Sequence, residues 1–144
     1  MVETSLTKQV YYNKERIELA SCAIYWPYDS PVLEQIVHDN YTMQLEDANE
    51  IDLTIERMAA ARNQPVYFLA DIRQIQAGSS EAQQHFKGPL PPSIKAIAIL
   101  VKNGRSKLLG NFFIRLNQSN IPSQLFTDRV KAIEWLLEQK RTQQ

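Results

Sequence analysis

Cysteine is almost absent from this chain of 144 residues, which contains only Cys22. One cysteine cannot form a disulfide within the chain, and its apolar neighbours favour a small core residue over a reactive thiol. Long hydrophobic runs are also missing, because no window approaches the roughly 18 apolar residues of a membrane span. The first residues lack the basic and then apolar pattern of a signal peptide. We therefore predict a cytoplasmic protein without a membrane span.

The motifs of common catalytic and cofactor sites are missing as well. The sequence has no Gly-x-Ser-x-Gly elbow, no phosphate-binding P-loop and no Gly-x-Gly-x-x-Gly fingerprint. Its two histidines, His38 and His85, belong to different predicted elements and have no cysteine or paired acid at ligand spacing. Asp71, at the end of a predicted strand, has no evident nucleophile or proton partner. That favours hydrogen bonds to loop N–H groups over a role as general base. We predict no enzyme activity, no cofactor and no metal site.

The charged residues are segregated along the chain although the net charge is zero. Residues 17–56 contain nine acids and no Lys or Arg, whereas residues 82–127 contain six bases and no acid. One interpretation is that the two halves complement each other in the folded domain or are solvated faces. The other is a positive surface that suits an anionic ligand or an acidic partner. Six bases are too few for a nucleic-acid footprint.

Apolar runs alternate with amphipathic segments along the chain. Strands are predicted over residues 8–12, 16–26, 32–38, 66–71, 96–101 and 124–126. Helices are predicted from Thr42 or Leu45 to the turn before Pro65, over residues 80–86, over residues 108–116 and from an N-cap at Thr127. This alternation predicts an α/β fold in one domain over residues 1–144, with flexible ends at about 1–6 and 140–144.

Three segments resemble the STAS domain, the fold of the bacterial anti-sigma-factor antagonists. Residues 66–82 are similar to its central strand and the serine turn that opens a helix, 96–101 to its next strand, and 125–136 to its closing strand and helix. The run Gly110-Asn111-Phe112-Phe113 resembles a branch of short bacterial STAS-like proteins with no assigned activity. The resemblance implies a mixed, mostly parallel sheet of four to five strands with about four helices.

The serine turn of the STAS family carries a regulatory phosphoacceptor, and the resemblance places that role on Ser80. Gly78 stands here where the family has Asp, and Glu81 stands where it has Gly. A phosphate at Ser80 would be repelled by the carboxylate of Glu81. The alternative is that Ser79 or Ser80 simply caps the helix, and the residues favour this interpretation.

A second candidate site is the loop that follows residues 96–101. Gly104, Arg105, Ser106 and Lys107 combine a turn, a helix start and two bases, which suits an anion such as a phosphate, nucleotide or lipid headgroup. The alternative is an ordinary turn on a solvated edge. We predict a non-enzymatic regulatory module with an unknown protein partner. A binder of a small anionic or lipid-like ligand is the alternative, and a homodimer is compatible with either.

Overall fold

The computed structural model of the protein describes residues 15–103 and 120–143. Its strands are β1 (Arg16–Glu18), β2 (Cys22–Tyr25), β3 (Val32–Val37), β4 (Tyr41–Met43), β5 (Val66–Asp71), β6 (Ile75–Gly78), β7 (Ile94–Leu100) and β8 (Ser123–Phe126). Its helices are α1 (Leu45–Arg62), α2 (Ser80–His85) and α3 (Arg129–Thr142). Six strands form one sheet in the order β1-β2-β3-β5-β7-β8, and β4 and β6 form a two-stranded sheet.

The inner strands β5 and β7 form because their sequences are apolar at nearly every position. All six residues of β5 are buried, and Lys95 is the one exposed residue of β7. Such strands are typical of a parallel sheet that helices cover on both faces. The structure confirms that the two strands are neighbours, since Val66 pairs with Ile94 and Asp71 with Leu100 in parallel register.

The antiparallel part of the sheet differs from the prediction at its beginning. The single strand predicted over 16–26 is wrong, because the chain turns after β1 and the Leu19 N–H donates to the Cys22 carbonyl at 2.8 Å. The predicted hairpin is confirmed, since β2 pairs antiparallel with β3. The turn between them holds Asp29 at φ 57°, a left-handed conformation that aspartate tolerates better than most residues.

The sequence does not predict the small parallel sheet of β4 and β6. Tyr41 pairs with Ile75 and Met43 with Gly78. Each strand is only three or four residues long, too short for the apolar run or the sustained alternation that indicates a strand. The alternative helix start at Thr42 is therefore wrong, and the start at Leu45 is confirmed.

Helices α1 and α2 cover one face of the large sheet, and α3 covers the other. The apolar stripe predicted for α1 is buried: Ala48, Ile51, Ile55, Met58 and Ala59. In α3, Ala132 and Leu136 pack on the sheet. The N-cap predicted at Thr127 is wrong, because Asp128 takes that position. Its Oδ1 accepts hydrogen bonds from the backbone N–H groups of Val130 and Lys131 at 2.9 and 3.4 Å.

The predicted fold class is confirmed, because the sheet is mixed and mostly parallel. The large sheet has six strands instead of four to five. The residues that the structure describes contain three helices, against about four predicted for the whole chain. Three predicted features lie outside the described residues: the strand over 8–12, the helix over 108–116, and the anion-binding loop of Gly104, Arg105, Ser106 and Lys107.

Candidate functional site

Two acidic side chains, Glu34 and Asp71, lie on the sheet face that α3 covers. Glu34 of β3 pairs in register with Leu69 of β5, and Ile36 pairs with Asp71. Because successive side chains of a strand alternate between faces, Glu34 and Asp71 share one face and lie two residues apart along it. Both are buried, with 2% and 6% of their surface exposed. A buried carboxylate is costly unless it is paired and hydrogen-bonded, so each needs a partner.

Glu34 finds its partner in Arg129, the first residue of α3. Nη2 of Arg129 donates to Oε1 and Oε2 of Glu34 at 2.7 and 2.6 Å, and Nε donates to Oε1 at 3.2 Å. The Tyr25 hydroxyl donates to the same Oε1 at 3.2 Å. The Asp128 cap fixes the start of α3, and this start brings the guanidinium onto the sheet.

Asp71 is bound by Arg73, two residues further along the chain. Nε of Arg73 donates to Oδ1 at 3.0 Å and Nη2 donates to Oδ2 at 2.7 Å. The backbone N–H of Arg73 also donates to Oδ1, at 3.2 Å. Such a bidentate contact fixes the plane of the guanidinium as well as its position.

We call Arg73 and Arg129 the arginine pair. Their side chains are 38% and 46% exposed, although the carboxylates beneath them are buried. Hydrogen bonding to Asp71 raises the pKa of Arg73 above its ordinary value, while the positive charge of Arg129 acts in the opposite direction. The pKa of Arg129 is raised in the same way, chiefly by its hydrogen bonds to Glu34. The two guanidiniums are therefore charged and oriented, and the carboxylates that hold them lie two residues apart on one face of the sheet.

The serine turn lies after β6. Ser79 is the N-cap of α2, and its Oγ accepts a hydrogen bond from the Ala82 N–H at 3.1 Å. The Ser79 N–H donates to the Met43 carbonyl at 2.8 Å, and Nε2 of Gln83 donates to the Gly78 carbonyl at 2.7 Å. Ser80 is exposed. The cap role therefore belongs to Ser79, and the phosphoacceptor role of Ser80 stays a prediction.

The histidines and the cysteine are used in separate structural contacts. Nε2 of His85 lies 2.8 Å from Oδ2 of Asp52, and Nε2 of His38 lies 3.2 Å from the Leu19 carbonyl oxygen. Cys22 is buried, and burial raises the pKa of its thiol above the ordinary value. Over residues 15–103 and 120–143, no three potential metal-ligating side chains come together. Among the helices in this described part of the chain, none is long and apolar enough to span a bilayer.

A small apolar cavity lies between the sheet and helices α1 and α2. Its volume is about 30 Å³, and its lining includes Met43, Ile55, Phe68, Phe86 and Ile97. Pockets for cofactors and drug-sized ligands usually measure roughly 300–1,000 Å³. This cavity therefore holds water-sized molecules at most and does not support a lipid-like ligand.

Sequence reasoning singled out Asp71 but missed Glu34, Arg73 and Arg129. One signal was available, because Glu34 is an isolated acid within an apolar strand. Carboxylates are almost never fully buried unless they are paired. The position of Glu34 therefore required a cationic partner, but the sequence did not indicate that this partner lies at the start of the last helix.

Comparison with known proteins confirms the fold. The structure is similar to that of an uncharacterised protein of the DUF3478 family with a SpoIIAA-like fold, from Shewanella loihica PV-4. The TM-score is 0.55 and the identity 19%, over 81% of this chain and 92% of that one, which shows the fold alone. This fold is the STAS-like fold that the sequence predicted. No curated protein matches the chain in sequence.

The sequence model of one family matches residues 25–140, a range that contains Tyr25, both buried carboxylates and the arginine pair. The family is described as a domain of unknown function, DUF7793. Because the match covers most of the chain, the protein belongs to the DUF7793 family.

Proposed function

We propose that the protein is a non-enzymatic interaction module that contacts a protein partner through the arginine pair. The observation that carries this proposal is the pairing of two buried carboxylates, Glu34 and Asp71, with two partly exposed arginines. The resemblance to STAS domains, which act in regulation, supports the same class of function. A cytoplasmic location and a homodimer remain predictions.

The energetics of the two ion pairs support this role. A buried ion pair often gives no more stability than well-packed apolar residues of similar volume, because the desolvation cost offsets the attraction. At Glu34 and Asp71 the fold therefore gains little from charge as such. It gains two guanidiniums in fixed orientations, and arginine is enriched among the residues that dominate protein interfaces. A pre-oriented side chain also loses less conformational entropy on binding.

The alternative of a small anionic or amphipathic ligand has weaker support. A depression of about 510 Å³ beside Arg62 and Lys140 is open to solvent, so it does not enclose a ligand. The apolar cavity under α1 and α2 has room for about 30 Å³ only. The loop predicted to bind an anion, Gly104 to Lys107, lies outside the described residues. The interaction module is therefore the function that the described residues support best.

Site-specific photo-cross-linking in the native cells tests the proposal. Lys131 is exposed in the first turn of α3, close in sequence to Arg129. Lys95 is also exposed but lies at the opposite end of α3, where Nε2 of Gln143 donates to its carbonyl at 3.3 Å. The helix separates the two lysines by about 20 Å. A photoreactive phenylalanine derivative replaces each lysine in turn, which makes Lys95 the matched control.

We expect one partner protein to cross-link to the photoreactive residue at position 131 and not to the photoreactive residue at position 95. The cross-link should disappear when Glu34→Gln and Arg129→Gln are combined in the same chain, because this change removes a guanidinium without leaving a buried charge. Equal capture from both positions, or capture that survives the double change, would show that the arginine pair is not the contact surface.

A further inference from the structure

We propose that Arg73 and Arg129 jointly bind a phosphate monoester carried by the partner, such as a phosphoserine or phosphothreonine. This inference rests on the proposed function, since it names the group on the partner that the arginine pair recognises. It concerns the surface above Glu34 and Asp71 and is independent of the serine turn at α2.

The argument begins with the nitrogen atoms that the buried carboxylates use. Glu34 contacts Nε and Nη2 of Arg129, and Asp71 contacts Nε and Nη2 of Arg73. In both arginines the same edge of the guanidinium is turned to the sheet. The opposite end, with Nη1, lies outside these carboxylate contacts. The two side chains are 38% and 46% exposed, so part of each arginine remains open to solvent.

The second step concerns the shape of the ligand. The Nε–Nη2 edge, which matches a planar carboxylate, is already occupied in both arginines. Each arginine therefore offers its outer end, and the two ends belong to different side chains. A phosphate has three terminal oxygens in a tetrahedral arrangement and accepts from two such donors at once. Its charge of nearly two negative units also matches two guanidiniums better than a single carboxylate does.

The exposed charges nearest to Arg129 in sequence are one cation, Lys131, and one anion, Asp128. Lys131 is exposed in the same turn of α3 as Arg129. Asp128 is the acid next to Arg129 in sequence, but its Oδ1 already accepts from two backbone N–H groups as the helix cap. The carboxylates of Glu34 and Asp71 lie below the guanidiniums and are buried. A ligand that approaches from solvent thus meets the cations first.

Titration of the full chain with O-phospho-L-serine tests the inference directly. The NMR signals of the Arg73 and Arg129 Nε–H groups should shift together, with a Kd of about 1 mM for the free amino acid. Glutamate is the control ligand, because it carries a carboxylate in place of the phosphate. Inorganic phosphate shares the tetrahedral chemistry and should produce shifts at the same two signals.

Two double variants remove one guanidinium each without leaving a buried charge: Asp71→Asn with Arg73→Gln, and Glu34→Gln with Arg129→Gln. Each replaces an ion pair by two neutral groups that can hydrogen-bond, so folding is retained better than after a single change. Each double variant should weaken phosphoserine binding about tenfold or more. The amide spectrum of each variant shows independently whether it is folded.

The matched control is Glu138→Gln with Arg141→Gln. These residues form an exposed ion pair near the other end of α3, with 50% and 72% of their side chains accessible. The same change of two charges at this place should leave phosphoserine binding within about twofold of the wild type. A similar loss in the control pair would mean that phosphoserine responds only to general surface charge, which would overturn the inference.

Two further outcomes would overturn the phosphate site: glutamate binding as tightly as phosphoserine, or no shifts of the arginine signals with any phosphate probe. The cross-linking from position 131 distinguishes these failures from a failure of the proposed function. A cross-linked partner without phosphoserine binding contradicts the phosphate site alone. Phosphoserine binding without a cross-linked partner supports the phosphate site and contradicts the interaction module.

Discussion

Glu34 and Arg129 are 95 positions apart in the chain, yet Nη2 of Arg129 lies 2.6 and 2.7 Å from the two carboxylate oxygens of Glu34. The contact joins the third residue of β3 to the first residue of α3. Because the carboxylate is buried and the guanidinium half-exposed, this ion pair connects the interior of the sheet to the surface.

Arg129→Gln should destabilise the protein by about 3 kcal/mol, because it leaves the buried carboxylate of Glu34 without its cation. This value is at the lower end for a broken buried pair, since the guanidinium is partly hydrated already. Urea denaturation of the variant and the wild type measures this change in the free energy of unfolding. Adding Glu34→Gln should recover part of the loss, because both remaining groups are then neutral.

Arg141→Gln provides the control for that measurement. Arg141 pairs with Glu138 on the exposed face of α3, and such surface pairs contribute about 0–1 kcal/mol. If Arg129→Gln costs no more than Arg141→Gln, Glu34 is hydrated in solution and the ion pair is not a buried one.

Ser79→Ala should lower the free energy of unfolding by about 1 kcal/mol, because it removes the hydroxyl that accepts from the Ala82 N–H. Ser80→Ala makes the same chemical change one residue later, at an exposed position, and should stay within about 0.5 kcal/mol of the wild type. Paired denaturation curves decide between them. The reverse order of the two values would identify Ser80 as the cap.

Ser80→Asp should leave partner binding nearly unchanged. The added negative charge lies beside Glu81, so it is repelled there and gains little from the first turn of α2. Affinity for the cross-linked partner, measured by calorimetry for both proteins, tests this prediction. Stoichiometric phosphorylation of Ser80 in cells, or a partner that Ser80→Asp releases, would restore the regulatory switch that the STAS resemblance implies.

Stability should fall at high pH through Tyr41. Two main effects raise the pKa of Tyr41 to about 12. The larger is burial of the phenol, and the smaller is its hydrogen bond to Asp47. Below about pH 10, the phenol is neutral in the folded and the unfolded chain, so its contribution to stability is fully present. Between pH 10 and 12 the unfolded chain loses this proton first, and the contribution is lost as the pH rises.

Tyr41→Phe should therefore reduce the slope of stability against pH over this range, measured by urea unfolding at several pH values. The slope will not vanish, because burial also raises the pKa of Tyr67. An unchanged slope in Tyr41→Phe would mean that the phenol ionises equally easily in both states.

The sequence predicted those parts of the fold that depend on local patterns. The apolar runs of β5 and β7 and the buried stripe of α1 are visible in single segments, because burial on one or both faces dictates residue type at each position. β4 and β6 escape prediction because each exists only through pairing with a partner that is distant in sequence. The Glu34–Arg129 pair escapes for the same reason: Glu34 stands out as the one acid of its strand, but its partner lies 95 positions away.

The order of the sheet has a consequence for the kinetics of folding. β1 and β2 are joined to their partners by short turns, whereas Val32 of β3 pairs with Tyr67 and Val66 of β5 pairs with Ile94. Each parallel pair must close a long loop, and the entropy of that closure is lost before the contacts form. Because mixed α/β domains have more non-local contacts than helical bundles, we expect this chain to fold more slowly than a helical bundle of similar size. The antiparallel strands β1, β2 and β3 can pair early. The parallel strands β5, β7 and β8 then add to the free edge of β3.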